Sequence, residues 1–320
     1  MRVGLIAACA CLVGATVSGV LATDQKAVAA ENQLTIVNKC TVPVWIQQDG
    51  LPGQQPVIEI LPGKSQAYPI ALKGVPSTRF WPKLGCDGSG NNCAVGQSSN
   101  PCPSNGGCAP PVDSKLEATW GCLTDPASCA INPSSKQPLD KNTWFNASLV
   151  DGFTLPFDVT VQSGDTSSGC QTPATCPAIN YNNACPTSAD LSTDGHFPAY
   201  AKENLKVIAP NGSVAGCFSP CGKLTFSKFY GGHQLLPNDP QAAFYCCAQI
   251  QGTNPLPPLD PSQPQGCTNA QNPTAPAPHT SYVDYVHKAC NKSVYAFAYD
   301  DTVGLRVCQG ATLLTFTLCP

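Results

Sequence analysis

The chain has 320 residues, of which only 12% are charged, with a net charge of −3, 32 prolines, 27 glycines and 20 cysteines. Without a basic excess it offers no surface for nucleic acid or anionic lipid, and a neutral partner suits it better. A charged share about half the usual one makes any carboxylate inside a strand pattern conspicuous.

The first residues read as an export signal. Met1-Arg2 is a minimal basic start, and Val3 to Ala22 is apolar except for Thr16 and Ser18. Small-residue cleavage sites follow at Val20-Leu21-Ala22 and at Ala27-Val28-Ala29-Ala30, so residues 1–30 are expected to be a secretory leader. An uncleaved anchor is the alternative, because the run is almost long enough to span a bilayer. Cys9 comes too early for a lipoprotein site. Removal of Cys9 and Cys11 leaves 18 cysteines. An even number that large in an exported chain implies a disulfide framework. No histidine lies at ligand spacing from a cysteine pair, so neither metal nor cofactor is expected. About 290 mature residues can bury a full core, so the bridges pin loops rather than replace one.

Period-2 alternation opens the chain. Leu34 and Ile36, then Val42, Val44 and Ile46, point one way with polar residues between them, as in half-buried antiparallel strands. The same pattern returns at Phe157–Val161, at Tyr295–Tyr299, and at Leu314, Phe316 and Leu318. Short strands between Gly/Pro turns predict a β-sandwich or barrel. The cysteines fall into two zones, Cys86 to Cys129 and Cys170 to Cys290. Proline-dense loops such as Asn254 to Cys267 cannot join a ladder. One helix is predicted over Ser281–Cys290, with Ser281 as N-cap and Asp284 at N3.

Chemistry-bearing patterns are few. His196, His233, His279 and His287 are scattered, no Gly-x-Ser-x-Gly elbow exists, and surface positions explain them. The glycines of CDGSGNNC lie between cysteines rather than at a strand-to-helix junction, so no phosphate loop is read. Glu117 lies in a short strand-like run, Asp151 precedes Gly152 at a strand end, and Asp300-Asp301 follows the Tyr295 run. From spacing alone each is a turn or rim residue. Asn146-Ala147-Ser148 is a glycosylation sequon inside a strand pattern; Asn211 and Asn291 head two others.

The stretch SLVDGF, Ser148 to Phe153, resembles an element of the thaumatin-like proteins, the family that includes osmotin and other pathogenesis-related proteins. TIVNKCTVPVWI resembles the family's opening strand pair, and TRFWPKLGC its Arg-x-Trp element. NLKV, CFSPC, FYCC, FAYDD and TFTLCP then match its late landmarks in order. The resemblance implies a mainly β fold: an antiparallel β-sandwich at about 31–85, 111–169 and 294–320, a small disulfide loop domain at about 86–110, and a disulfide-rich second domain at about 170–293. It implies the pairs Cys40–Cys319, Cys86–Cys93, Cys102–Cys108, Cys170–Cys308, Cys176–Cys290, Cys185–Cys217, Cys221–Cys246 and Cys247–Cys267. Cys122 and Cys129, in an insertion the family commonly lacks, are left to bridge each other.

The resemblance also implies an acidic cleft lined by one Arg, one Glu and three Asp. These positions fall on Arg79, Glu117, Asn146, Asp151 and Asp300, so one acid has become an amide. Some members hydrolyse β-1,3-glucans, and glycoside hydrolysis needs a proton-donating carboxyl and an ionised partner. Glu117 as acid and Asp151 as base or nucleophile fit that scheme, with Arg79, Asn146 and Asp300 binding sugar. The expected function is a secreted glucan-binding protein with weak endo-β-1,3-glucanase activity; the alternative is a non-enzymatic antifungal or cell-wall glucan-binding protein. A monomer is expected, with no stable membrane insertion after signal cleavage. VGQSSNPC replaces the family's Thr-Gly-Asp-Cys element, and residues 121–142 form the insertion.

Overall fold

The computed structural model describes residues 31–100, 102, 107–112, 114–248 and 276–320. The expected leader, the proline-dense run before Cys267 and the Cys247–Cys267 bridge fall outside the described residues.

Alternation in the sequence becomes two sheets. One has five strands in the order β10-β9-β14-β1-β4: β1 (Gln33–Asn38), β4 (Ser65–Pro69), β9 (Phe157–Ser163), β10 (Ala174–Cys176) and β14 (Thr312–Leu318). The other has six in the order β13-β7-β6-β5-β2-β3: β2 (Val44–Asp49), β3 (Val57–Ile60), β5 (Val75–Lys83), β6 (Lys115–Trp120), β7 (Asn142–Ser148) and β13 (Arg306–Gln309). Pairing in both is antiparallel except where β1 runs parallel to β14. A third, small sheet joins β8 (Gly152–Phe153), β11 (Lys206–Ile208) and β12 (Val214–Phe218). The chain therefore adopts the expected mainly β, disulfide-rich fold.

The inward faces of the two larger sheets share one core. Tyr68 of β4 meets Phe80 of β5 edge-on at 5.1 Å between ring centroids, one contact across the sandwich. Trp120 is fully buried, and its indole N–H donates to Thr78 Oγ1 at 2.9 Å, so the one polar atom on that ring is satisfied. Each such large side chain contributes about 1.5–3 kcal/mol relative to leaving it in water. Val42, expected to face inward, is instead exposed in the turn before β2, where Asn38 Nδ2 holds its carbonyl at 2.9 Å.

Among the described residues, six short α-helices lie outside the sandwich: α1 (Ser168–Gln171), α2 (Tyr181–Ala184), α3 (Pro220–Thr225), α4 (Pro240–Cys246), α5 (Ser281–Ala289) and α6 (Asp301–Gly304). The predicted helix is α5, but its N-cap is Thr280 rather than Ser281, because the Thr280 hydroxyl accepts the Val283 N–H at 3.3 Å. Asp284 accordingly falls one position beyond N3. Tyr295–Tyr299 does not form the predicted strand. Only Tyr295 bridges Ser148, after which the Asp300 carboxylate accepts the Ala296 N–H at 3.0 Å and curls the segment.

Among the described residues, eight disulfides join Cys40–Cys319, Cys86–Cys93, Cys102–Cys108, Cys122–Cys129, Cys170–Cys308, Cys176–Cys290, Cys185–Cys217 and Cys221–Cys246. Cys40–Cys319 spans 279 residues, and restricting so long a loop in the unfolded chain is worth on the order of 5 kcal/mol in the chain-entropy model. The CDGSGNNC loop, closed by Cys86–Cys93, folds around one carboxylate. Asp87 accepts from Ser89, Asn91 and Asn92, and these bonds, the Ser89 hydroxyl first, hold its carboxyl far below the usual range.

Candidate functional site

The outward face of the six-stranded sheet carries the site, and strand register determines which residues meet there. Asp49 pairs with Arg79, Arg79 with Glu117, and Glu117 with Asn146, forming one row across β2, β5, β6 and β7. Two residues along each strand the side chains return to the same face. A second row on that face holds Ser77, Thr119 and Trp144: Thr119 pairs with Trp144, and its hydroxyl accepts the Ser77 N–H at 3.1 Å. A third row sets Lys115 opposite Ser148.

Among the described residues, two cavities on this face share Arg79 and Glu117 as a common ridge. The larger, about 560 Å³, is also lined by Lys115, Asp151, Tyr295, Tyr299 and Asp301. The smaller, about 270 Å³, adds Ser77, Thr119, Trp144 and Asn146. Arg79 Nε lies 3.3 Å from Glu117 Oε1, and the Lys115 ammonium bonds the Asp151 carboxylate. The larger cavity thus sets three carboxylates, Glu117, Asp151 and Asp301, against two cations, Arg79 and Lys115.

Local structure fixes Asp151 in place. Gly152, next to it, has φ +137°, and a Cβ there would come within 2.2 Å of the Cys217 carbonyl oxygen. Only glycine lets the chain turn so tightly against β12. The Asp151 carbonyl accepts the Ser219 N–H at 3.2 Å, which ties the turn to the start of α3. Before the turn, Leu149 is buried; its N–H bonds the Tyr295 carbonyl at 2.8 Å and its carbonyl accepts the Tyr282 hydroxyl at 2.6 Å. These bonds bring residues 295–301 alongside β7.

Arg79, Glu117, Asn146 and Asp151 of the sequence-expected set therefore share one face. Asp300 does not. It is only 4% exposed, absent from both cavity linings, and bonded to His287 Nε2 at 2.7 Å and to the Ala296 N–H. Its neighbour Asp301 lines the larger cavity instead and accepts the Tyr295 hydroxyl. Burial, with Asp301 adding to it, pushes the Tyr295 phenol well above its ordinary value, so it stays a donor. Asn146 Oδ1 is buried without a hydrogen-bond partner. A carboxylate at this position would have stood beside Glu117; the amide removes that negative charge from the row.

The sequence did not single out Lys115, Trp144, Tyr295 or Tyr299 for the site, and it placed Asp300 rather than Asp301 in the cleft. Strand alternation alone would have put Lys115 on the face of Glu117 and Trp144 on the face of Asn146. Nothing in the spacing distinguishes Asp301 from Asp300. The surface reading of the histidines fails for His287, which is bound to buried Asp300, and for His233, which pairs with buried Glu203 at 2.9 Å. Among the described residues, no group of three or more His, Cys, Asp or Glu could hold a metal ion, and no helix is long and apolar enough to cross a membrane.

Comparison with known proteins finds a match to the model of the Thaumatin family over residues 38–320. A protein of Prunus avium named glucan endo-1,3-beta-glucosidase is 30% identical over 250 residues, covering 76% of this chain and 71% of its own. Thaumatin-like protein 1a of Malus domestica is 27% identical over 300 residues, covering 90% of each. Among solved structures, a thaumatin-like xylanase inhibitor aligns at 22% identity and a TM-score of 0.26, covering 42% of this chain and 86% of its own.

Proposed function

Since the chain belongs to the thaumatin family, we infer that it is a secreted protein that binds β-1,3-glucan of cell walls in the cleft on the six-stranded sheet, acting by binding rather than by hydrolysis. One observation carries the preference for binding. The two carboxylates expected to divide the acid and base roles are both engaged, Glu117 with Arg79 and Asp151 with Lys115. Glycoside hydrolysis asks one carboxyl to deliver a proton and the other to attack or to activate water. A polar floor of ion pairs and hydroxyls instead suits a neutral polymer rich in hydroxyl groups.

A second reading, weak endo-β-1,3-glucanase activity, is favoured by the relative from Prunus avium whose name states that reaction. One experiment separates the two. The secreted protein is incubated with insoluble β-1,3-glucan, cellulose and xylan, and both retention on the solid and released reducing ends are measured beside Glu117→Gln. Retention on β-1,3-glucan without release is expected. Release by the parent and not by the variant would make it an enzyme. No retention on any polymer would overturn the glucan-binding assignment.

A further inference from the structure

Two aromatic side chains on the cleft are far more exposed than a folded chain needs. Trp144 is 41% exposed on β7 and lines the smaller cavity; Tyr299 is 55% exposed and lines the larger one. They stand on opposite sides of the Arg79–Glu117 ridge. Trp144 shares its face with Asn146, two residues on, whose Oδ1 has no partner. The other tryptophans do not compete for this role: Trp81 and Trp120 are buried, and Trp45 packs over Gly90.

Tyr299 carries a further mark. Its φ is +66°, a left-handed conformation that costs a bulky residue energy. The buried Asp300, fixed by His287 and by the Ala296 N–H, closes the turn in which Tyr299 sits. The segment thus spends strain and leaves a large apolar ring in water. Such an outlier at a cavity rim points to a ligand contact.

We propose that Trp144 and Tyr299 are stacking platforms at the two ends of the cleft, so that its ligand is one extended, neutral, β-linked glycan that crosses the Arg79–Glu117 ridge and lays a sugar ring on each aromatic. This rests on the glucan-binding reading above. Sugar rings with equatorial hydroxyls present apolar C–H faces, which an exposed indole or phenol covers while the hydroxyl edge meets polar groups. Ser77, Arg79, Glu117 and Thr119 line the cavity beside Trp144 to meet that edge. The ligand must be several units long, because the β7 rows of Trp144 and Ser148 are already about 13 Å apart along the strand. Tyr299 lines the larger cavity together with Ser148.

The test is chain-length dependence. Affinities for the β-1,3-linked disaccharide through heptasaccharide are measured for the parent, Trp144→Ala, Tyr299→Ala, and the ring-preserving Trp144→Phe and Tyr299→Phe. The heptasaccharide is expected to weaken about tenfold in each alanine variant and to hold within about threefold in each phenylalanine variant. The disaccharide should respond to at most one alanine change. Acrylamide quenching of the parent's exposed tryptophan, which needs no variant, should fall when the heptasaccharide is added. If the parent binds the heptasaccharide while either alanine variant matches it, or while quenching is unchanged, the two-platform arrangement is overturned and the glucan-binding reading stands. If the parent binds neither oligosaccharide nor insoluble glucan, both fall together.

Discussion

Lys115, 8% exposed in its side chain, meets the carboxylate of Asp151, 34% exposed, where β6 runs past the turn between β7 and β8. The pair joins a strand to a loop, so it holds the rim of the cleft as well as neutralising it. Asp151→Asn is expected to lower stability by about 1–2 kcal/mol, less than for a fully buried pair because solvent screens the exposed carboxylate. Adding Lys115→Met to that variant should recover part of the loss. Urea midpoints of the four proteins in the cycle measure it; additive losses would mean that the pair contributes nothing.

Gly152 should tolerate no side chain. A Cβ there meets a carbonyl oxygen at 2.2 Å and the backbone is already left of the usual range at φ +137°. Gly152→Ala is expected to cost about 3 kcal/mol or more. Thermal unfolding of the purified variant tests this, and a melting temperature equal to the parent's would show that the turn can shift.

Acid should loosen the junction of β9 and β13. The Asp165 carboxylate accepts the Gln309 N–H at 2.9 Å and the Ser167 N–H at 2.9 Å, and these bonds, Gln309 first, hold its pKa below the ordinary value. A depressed folded value means that its contribution is present above the unfolded pKa of about 4 and is lost as pH falls through the folded one. Asp165→Asn should therefore flatten the acid limb of the stability curve and, above pH 5, lower stability by a constant amount without changing its pH dependence. Equal slopes in parent and variant between about pH 4 and pH 2 would refute the assignment.

Glycans should separate the three sequons by consequence. Asn211 and Asn291 are exposed in turns, whereas Asn146 is half buried in the smaller cavity beside Trp144. In protein made by a glycosylating host, sugar on Asn211 or Asn291 is expected to leave glucan retention unchanged, and sugar on Asn146 to abolish it. Mass spectrometry of the retained and unretained fractions gives the answer directly. Asn146-glycosylated chains in the retained fraction would contradict the cleft assignment.

The sandwich was legible because its signals are local and repeated. Leu34, Ile36, Leu314, Phe316 and Leu318 alternate cleanly, and all five are buried. Tyr295–Tyr299 alternates just as cleanly yet forms no strand, since a hydrogen bond from Ala296 to Asp300 bends the backbone within five residues. Periodicity cannot register a competing side-chain acceptor. The site was legible to the extent that Arg79, Glu117, Asn146 and Asp151 reach one face. Lys115 escaped because an ion pair to a turn 36 residues away depends on how that turn closes against β12. Asp300 and Asp301 are chemically identical neighbours, and only the partners available, His287 on α5 for one and Tyr295 for the other, decide which faces the cavity.

The placement of β14 between β1 and β9 has a consequence for biogenesis. β1 can pair on that edge only with a strand beginning at Thr312, and Cys40 waits for Cys319, 279 residues later. As the chain is synthesised N-terminus first, the five-stranded sheet cannot close until its last strand has emerged. Until then β9 and β1 each present an open hydrogen-bonding edge, and Cys40 remains a thiol available to mispair. Folding yield should therefore depend on holdase and disulfide-isomerase capacity where the chain folds more than on the intrinsic stability of the finished fold.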